Sequence, residues 1–217
     1  MLQQISDSIR LGVSIANVLT NLNATSHVAG GLCRDFLLVS QMNSEVFNSA
    51  LSGICGGDID IIYSPRHDPS YRTVEEWADK FCIDLRKAGF NVEVTDMDTD
   101  YDQCRLYGVV QLKVNGKDVD ILIHMAYDYI VHVCDAFDFK GNAAYATNDP
   151  TTGEIFVNAT GKFWDAYEDN FHYEFPHLVA TANQIRRADK RLALYELVAK
   201  HKNPLTYLPL VTRRQIR

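Results

Sequence analysis

Apolar side chains recur at steps of three and four residues over the first twenty residues, the spacing of one helix face. The positions are Ile5, Ile9, Val13, Ala16 and Leu19. They predict an amphipathic helix that ends near the Asn-rich stretch NLNATS. The segment HVAGG that follows predicts a short strand entering a turn.

The middle of the chain alternates between strand and helix patterns. A β-branched run, DIDIIYS, lies between Gly-Gly and Ser-Pro and predicts a strand. The next segment, TVEEWADKFCIDLRKAG, opens with a capping box from Thr73 to Glu76 and closes on Gly89, which predicts a helix. NVEVTDMD then predicts another strand.

Asn115-Gly116 separates two alternating segments, RLYGVVQLKV and KDVDILIH. Asn-Gly between such segments is the strongest short-range signal for a hairpin, so these two strands are predicted to pair antiparallel. GEIFV predicts one more short strand, and residues 177–201 predict a helix with apolar and basic faces. We therefore expect an α/β domain over residues 1–175, with a small mixed or antiparallel sheet flanked by helices, and a helical, basic extension over 176–217.

Composition narrows the class of protein. The chain has 217 residues, 47% of them hydrophobic, which is enough for a substantial core. No run of about 18 apolar residues and no signal peptide is present, so we expect a soluble cytoplasmic protein that does not enter a membrane. The five cysteines form no CxxC pair, which favours buried thiols over disulfides or a zinc site.

The net charge of −7 conceals an asymmetry between the two ends of the chain. From Arg186 onward there are nine basic residues and two acidic ones, so this end carries about +7 and the rest about −14. An acidic body repels polyanions. If RNA is a partner, the basic C-terminal segment is its expected binding surface; a solvated basic helix is the alternative.

Two aspartates lie on one face of the predicted DIDIIYS strand. Because side chains alternate along a strand, Asp58 and Asp60 point one way while Ile59 and Ile61 point into the core. Neighbouring carboxylates repel each other unless a proton or a cation lies between them. Hard oxygen ligands in this arrangement suggest Mg²⁺, although the same pattern also occurs on solvated strands.

A third carboxylate is predicted on the second strand of the hairpin. In VDILI, Val119 and Ile121 face the core and Asp120 the opposite side. Asp118 shares that side, but Asp120 is preferred because apolar residues hold it on both sides. Three such carboxylates suit a two-metal site for phosphoryl or nucleotidyl transfer, with the metals about 4 Å apart.

The stretch HVAGGLCRDFLL suggests a phosphate-binding turn. Gly30 and Gly31 allow the backbone to approach a phosphate closely, and the start of the following helix presents unpaired N–H groups to an anion. The guanidinium group of Arg34 would add paired, charged hydrogen-bond donors for the phosphate. The alternative is an ordinary turn in which Arg34 and Asp35 pair on the surface.

Five segments now follow one another in a recognisable order: GGLCRD (30–35), DID (58–60), VDI (119–121), DFKGNAAY (138–145) and TGEIFVNATGKFWD (152–165). Together they resemble the catalytic head of the DNA polymerase β-like nucleotidyltransferase superfamily, in the branch of bacterial poly(A) polymerases and tRNA CCA-adding enzymes. The resemblance covers about residues 27 to 170.

The resemblance implies an enzyme that uses an NTP and two Mg²⁺ ions. Gly30 and Gly31 would cradle the triphosphate, with Arg34 and Asp35 completing the nucleotide-binding motif. The metal ligands and catalytic carboxylates would be Asp58, Asp60 and Asp120, the last assisting in activation of the acceptor hydroxyl. Asp138 and Asn142 would lie beside the nucleotide sugar.

Several features depart from the family pattern. An insertion, MNSEVFNSALSGICGG, separates the first motif from DID and supplies a second glycine pair, Gly56 and Gly57, as an alternative cradle. Ala136 and Phe137 replace two arginines expected before DF. No base-selecting motif is recognisable around IRRADKRL, so the preferred NTP stays open, and the family's tRNA-holding domains have no counterpart.

The function expected from the sequence is transfer of an NMP to a hydroxyl with release of pyrophosphate, an RNA 3′ end being the favoured acceptor. Transfer to a small molecule or to a protein side chain is the alternative within the same superfamily. A third alternative is an inactive nucleotide-binding module. The carboxylate set argues against this last alternative, whereas the acidic charge and short chain weaken the case for RNA.

Overall fold

The computed structural model describes residues 2–21, 23–41, 57–99, 106–127, 129–137, 139–168, 193, 196 and 213–216. The helices are α1 (Leu2–Leu19), α2 (Gly31–Gln41), α3 (Val74–Lys87), α4 (Ile130–Cys134) and α5 (Gly161–Glu168). The strands are β1 (Ala24–Val28), β2 (Ile59–Pro65), β3 (Val92–Asp98), β4 (Leu106–Val114), β5 (Lys117–His124), β6 (Ala144–Asn148), β7 (Ile155–Ala159) and β8 (Arg213–Gln215). Short 3₁₀ turns occupy Pro69–Tyr71 and Lys140–Asn142.

The strands form two sheets. The larger one has five strands in the order β1-β2-β5-β4-β3, in which β2 and β5 run parallel and all other neighbours run antiparallel. The smaller sheet is antiparallel, in the order β6-β7-β8. This arrangement confirms the predicted mixed α/β class.

Local sequence signals set the boundaries of several elements. The capping box that opens α3 is formed, because Thr73 Oγ1 accepts from Glu76 N–H and Glu76 Oε2 accepts from Thr73 N–H. Asn115 and Gly116 both have positive φ, 50° and 81°, as a two-residue hairpin turn requires. The hairpin of β4 and β5 is therefore confirmed, with Val114 opposite Lys117.

One face of the five-stranded sheet carries the hydrophobic core. The predicted apolar positions of α1 are all buried there, and Gly12 lets the helix approach Val28 and Ile59 so closely that an added Cβ would lie 2.7 Å from Ile59 Cγ2. On the same face Tyr63 contacts Trp77 and Phe81 of α3 edge-on. The core thus holds β2 beneath two helices that lie on the same face of the sheet.

The two sheets are linked beside the N-terminus of α2. Gly30 N–H donates to the carbonyl oxygen of Ala144 at 2.9 Å, and Ala29 forms an isolated bridge with Tyr145. These bonds tie the turn that follows β1 to the first strand of the small sheet. The conformation of the turn therefore depends on both sheets.

The last described residues form a strand where the sequence predicted a helical extension. β8 pairs with β7, Ile216 is buried, and Gln215 Nε2 donates to Glu154 Oε1 at 2.7 Å. Strand pairing with a distant partner overrides local helix propensity in this short segment. The predicted helix over 177–201 lies outside the described residues, except for residues 193 and 196, which are helical.

The described cysteines agree with the expectation of buried thiols. Cys33, Cys82 and Cys134 are buried free thiols, whereas Cys55 and Cys104 lie outside the described residues. In the part of the chain that the structure describes, each helix is too short or too polar to cross a membrane.

Candidate active site

A polar row crosses the five-stranded sheet on the face opposite α1 and α3. Asp60 on β2 lies beside Asp120 on β5, Asp120 beside Gln111 on β4, and Gln111 beside Asp96 on β3. Because register partners in a sheet project to the same side, these four side chains lie on one face. We call this set, Asp60, Asp120, Gln111 and Asp96, the polar row.

The alternation of side chains along each strand produces the polar row. Ile59 and Ile61 on β2, and Val119 and Ile121 on β5, are fully buried in the core. The residue between each pair must then project to the other face. Asp60 and Asp120 do so, and both remain partly accessible to solvent. Asp58 is exposed and immediately precedes β2.

The carboxyl group of Asp120 is partly buried and lies near other negative charges. Burial, together with the negative charges of Asp58 and Asp118, raises the pKa of this carboxyl from 3.8 to about 6. A hydrogen bond from Gln111 Nε2, 3.4 Å from Asp120 Oδ2, opposes that rise. The site therefore disfavours a negative charge on Asp120 unless a cation compensates it.

The structure distinguishes Asp118 from Asp120. The Asp118 side chain is 63% exposed and lies 3.6 Å from Lys113 Nζ, as a solvated ion pair beside the hairpin turn. Asp120 is partly buried and lies next to Asp60. Of the two, only Asp120 belongs to the polar row.

The Gly30–Gly31 turn approaches the polar row closely. Gly30 has φ of 84°, and a Cβ at this position would lie 3.0 Å from Asp60 Oδ2. Gly31 begins α2, where an added Cβ would make only ordinary contact with Arg34. Gly30 is thus the residue that requires glycine. The alternative pair is described only in part: Gly57 is exposed beside Asp58, and Gly56 lies outside the described residues.

Arg34 and Asp35 form an ion pair that is buried, whereas the sequence alternative placed such a pair on the surface. Arg34 Nε and Nη2 each lie 2.8 Å from Asp35 Oδ1, and the two residues are only 7% and 2% exposed. Arg34 Nη1 donates to Asn142 Oδ1 at 2.6 Å. The guanidinium also lies over the Phe139 ring. These contacts join the turn at the start of α2 to the 3₁₀ turn at Asn142.

This linkage brings together two of the motifs on which the resemblance depends. GGLCRD and DFKGNAAY meet through Arg34 and Asn142, although 108 residues separate those two in the sequence. Asp138, which the resemblance places beside the nucleotide sugar, lies outside the described residues. The guanidinium donors of Arg34 that are described go to protein acceptors, which suits a residue that positions the turn.

Two residues on the polar face were not among those predicted from the sequence. Gln111 could have been found by counting outward from the Asn-Gly turn, which places it opposite Asp120. His27 lies opposite Ile62, which follows Asp60 by two residues and projects to the same face of β2. The Nδ1 atom of His27 lies 3.2 Å from the hydroxyl of Tyr127. Burial lowers the pKa of His27 and so favours the neutral imidazole. No local signal connects His27 with Tyr127.

The side-chain atoms of the site can be compared with the ligands that a metal ion requires. Among the described residues, no three His, Cys, Asp or Glu side chains converge closely enough to form a ready-made metal site. The side chains of the polar row offer carboxylate and amide oxygens, and burial raises the pKa of the Cys33 thiol and so keeps it protonated. Oxygen donors of this kind fit Mg²⁺ rather than zinc.

Comparison with known proteins adds no relative: the chain matches no family model and no curated protein sequence. The polar row and the Gly30–Gly31 turn are therefore the features from which a function can be inferred.

Proposed function

We propose that this protein is a nucleotidyltransferase that moves an NMP from an NTP to a hydroxyl group and releases pyrophosphate. One observation carries the proposal: Asp60 and Asp120 lie side by side in register, and Gly30 turns through a left-handed conformation beside Asp60. Paired carboxylates next to a glycine turn at a helix N-terminus provide ligands for divalent cations and donors for phosphate oxygens.

Each part of the site has a defined task in this proposal. The Gly30–Gly31 turn would admit the triphosphate, because Gly30 places no side chain between its own backbone and Asp60. The first N–H groups of α2 have no partners within the helix and are available to phosphate oxygens. Arg34 and Asp35 hold this turn against Asn142 and so preserve its shape.

Asp58, Asp60 and Asp120 are the residues that would hold two Mg²⁺ ions. When bound, the metal would neutralise charge on the phosphates and stabilise both the attacking and the leaving oxygens. Asp120 would also accept the proton of the acceptor hydroxyl, since a carboxyl with a pKa of about 6 is suited to proton transfer near neutral pH. Gln111 orients Asp120 through its side-chain amide.

The acceptor is not defined by these residues alone. An RNA 3′ end is supported by the basic charge from Arg186 onward, a segment that lies almost entirely outside the described residues. A small molecule or a protein side chain fits the same chemistry. All three acceptors require the same carboxylates, so the reaction can be tested before the acceptor is known.

The test uses each of the four NTPs, labelled at either the α- or the γ-phosphate, with Mg²⁺ and a cell extract as the source of acceptors. We expect the α-label to appear on an acceptor and the γ-label to leave as pyrophosphate. Asp60→Asn should abolish both signals, whereas Asp79→Asn, which changes an exposed carboxylate on α3, on the opposite face of the sheet, should retain them. Transfer of the γ-label to an acceptor, or full activity of Asp60→Asn, would refute the proposal.

A further inference from the structure

A cavity of about 260 Å³ opens at the end of the five-stranded sheet, between α1 and the β4–β5 hairpin. Its floor includes Ile5 and Ile59, and polar groups form most of its wall. The polar side chains that line it are Gln4, Ser8, Asp58, Lys117 and Asp118. We call it the hairpin cavity.

The hairpin cavity and the Gly30–Gly31 turn both border the Asp58–Asp60 segment. Gly30 borders Asp60, whereas Asp58 lines the cavity. Transfer of a phosphoryl group requires the attacking and leaving oxygens to lie on opposite sides of the phosphorus. Because the cavity shares Asp58 with the proposed metal site, an acceptor in the cavity would lie next to the carboxylates that act on the phosphate.

The size of the cavity limits what it accepts. A volume of about 260 Å³ equals that of about nine water molecules and lies below the range of sites for drug-sized ligands. This space suits a molecule the size of one sugar ring. A nucleotide with its base and phosphates would exceed it.

The chemistry of the wall points to a ligand with many hydroxyl groups. Gln4, Ser8 and Lys117 offer hydrogen-bond donors, and the carboxylates of Asp58 and Asp118 offer acceptors. A hydroxyl group both donates and accepts, so a polyhydroxylated ring can satisfy both kinds of wall group. Asp58 and Asp118 balance Lys117 and Lys113, the latter paired with Asp118, so the wall carries no net positive charge to attract a polyanion such as RNA.

Resting on the proposed nucleotidyl transfer, we propose that the hairpin cavity is the acceptor subsite and takes a monosaccharide or cyclitol. In the reaction, a ring hydroxyl oxygen forms a bond to the α-phosphorus of the NTP. The bond from that phosphorus to the oxygen bridging the α- and β-phosphates breaks, and pyrophosphate leaves. The hydroxyl proton passes to the carboxylate of Asp120. Atoms and charge balance without any further reactant.

A binding experiment without NTP tests the cavity directly. The probes are glucose, glucosamine and myo-inositol, observed by saturation-transfer NMR with the full-length protein. Ser8→Phe should fill the cavity and weaken binding of the responding probe at least tenfold. Ser14→Phe is the matched control, because Ser14 lies on the same helix, is exposed, and donates to a backbone carbonyl of its own helix.

Gln4→Trp provides a second obstruction at an exposed position, in case the half-buried Ser8 does not tolerate a large side chain. Both variants are compared with wild type at an unchanged Tm. The proposal is supported if both lose the probe while Ser14→Phe keeps it. It is overturned if none of the three probes binds wild type, or if the filled variants bind as well as wild type.

A transfer experiment separates failure of the subsite from failure of the proposed function. Wild type is incubated with α-labelled NTP, Mg²⁺ and the probe that binds, and pyrophosphate and labelled products are measured. Labelled sugar or cyclitol, lost in Ser8→Phe with NTP binding within twofold of wild type, supports the subsite. Pyrophosphate release with label only in RNA or protein overturns the subsite and leaves the proposed function standing. Absence of transfer from all four NTPs to any acceptor overturns both.

Discussion

The two faces of the five-stranded sheet are built by the same strands yet differ in nearly every property. On one face Ile61, Val119 and Ile121 are inaccessible to solvent and pack under α1 and α3. On the other face, one residue along each strand, Asp60 and Asp120 lie next to each other. The first face has the arrangement that stabilises a fold, whereas the second places like charges together at a cost.

This contrast separates a face that stabilises the fold from a face whose clustered negative charges are unfavourable. A sheet face could carry neutral polar residues without repulsion, yet the charges of Asp58 and Asp118 raise the pKa of Asp120. The unfavourable electrostatics of the apoprotein are explained if a cation and a polyphosphate complete the site. Changes on the two faces should therefore separate activity from stability.

The largest expected effect is on activity, from the polar face. Asp60→Asn should reduce transfer about 100-fold or more, because it removes a proposed metal ligand. The free energy of unfolding should stay the same or rise, since one member of a repelling set is neutralised. Initial rates of transfer and thermal unfolding measure the two quantities, and activity within about twofold of wild type would remove Asp60 from the site.

On the opposite face, Ile61→Ala should lower the free energy of unfolding by about 2–5 kcal/mol, because it leaves a cavity where Ile61 is fully buried. Urea denaturation gives this value. Under conditions where the variant is folded, its affinity for NTP should lie within a few-fold of wild type. A loss below about 0.5 kcal/mol, the range usual for surface substitutions, would mean that this face does not carry the core.

The Gly30–Gly31 turn allows backbone strain to be separated from ligand access. Gly30→Ala and Gly153→Ala both place a side chain at positive φ, so each should cost about 1 kcal/mol of stability. Only Gly30→Ala brings a Cβ to within 3.0 Å of Asp60 Oδ2, whereas the space around Gly153 is open. We expect about a tenfold loss of NTP affinity in the first variant alone, measured by equilibrium titration. Equal affinities in the two variants would place the triphosphate elsewhere.

The smallest effect concerns the pH dependence of stability. The pKa of Asp120 is higher in the folded protein, about 6, than its usual value of 3.8, so the folded state holds this proton more tightly than the unfolded state does. The stabilisation from this proton is complete below about pH 4 and is lost as the pH rises through about 6.

Asp120→Asn should thus be more stable than wild type at pH 8, by on the order of 1 kcal/mol once partial exposure is taken into account. The difference should disappear at pH 4. Urea denaturation at the two pH values measures it, with Asp118→Asn as the exposed control. A constant difference across this range would contradict the electrostatic description of Asp120.

Elements with short-range signals were predictable from the sequence. The first helix, the capped α3 and the Asn-Gly hairpin all depend on contacts within a few residues. The alternation of apolar and acidic residues in DIDIIYS and VDILI also predicted that Asp60 and Asp120 lie on the face opposite the core. Their side-by-side register was not predictable, because nothing in either segment specifies that β2 and β5 pair in parallel.

The remaining features depend on distant partners or on backbone conformation. Arg34 meets Asn142 across 108 residues, so its burial could not be deduced from GGLCRD alone. Of the two glycines in this turn, only Gly30 has positive φ. Glycine is therefore required at position 30 and not at position 31. The strand β8 arises from pairing with β7, which local helix propensity opposes.

Titration with Mn²⁺, observed by electron paramagnetic resonance as a stand-in for Mg²⁺, tests the central claim most directly. At pH 7.5 wild type should bind Mn²⁺, with tighter binding when NTP is present, and Asp60→Asn and Asp120→Asn should each bind it at least tenfold more weakly. Affinity of the wild type should fall at pH 5, where the Asp120 carboxyl, with a pKa of about 6, is protonated. Equal Mn²⁺ affinity in wild type and both variants would contradict the account, because the carboxylates of the polar row would then hold no metal.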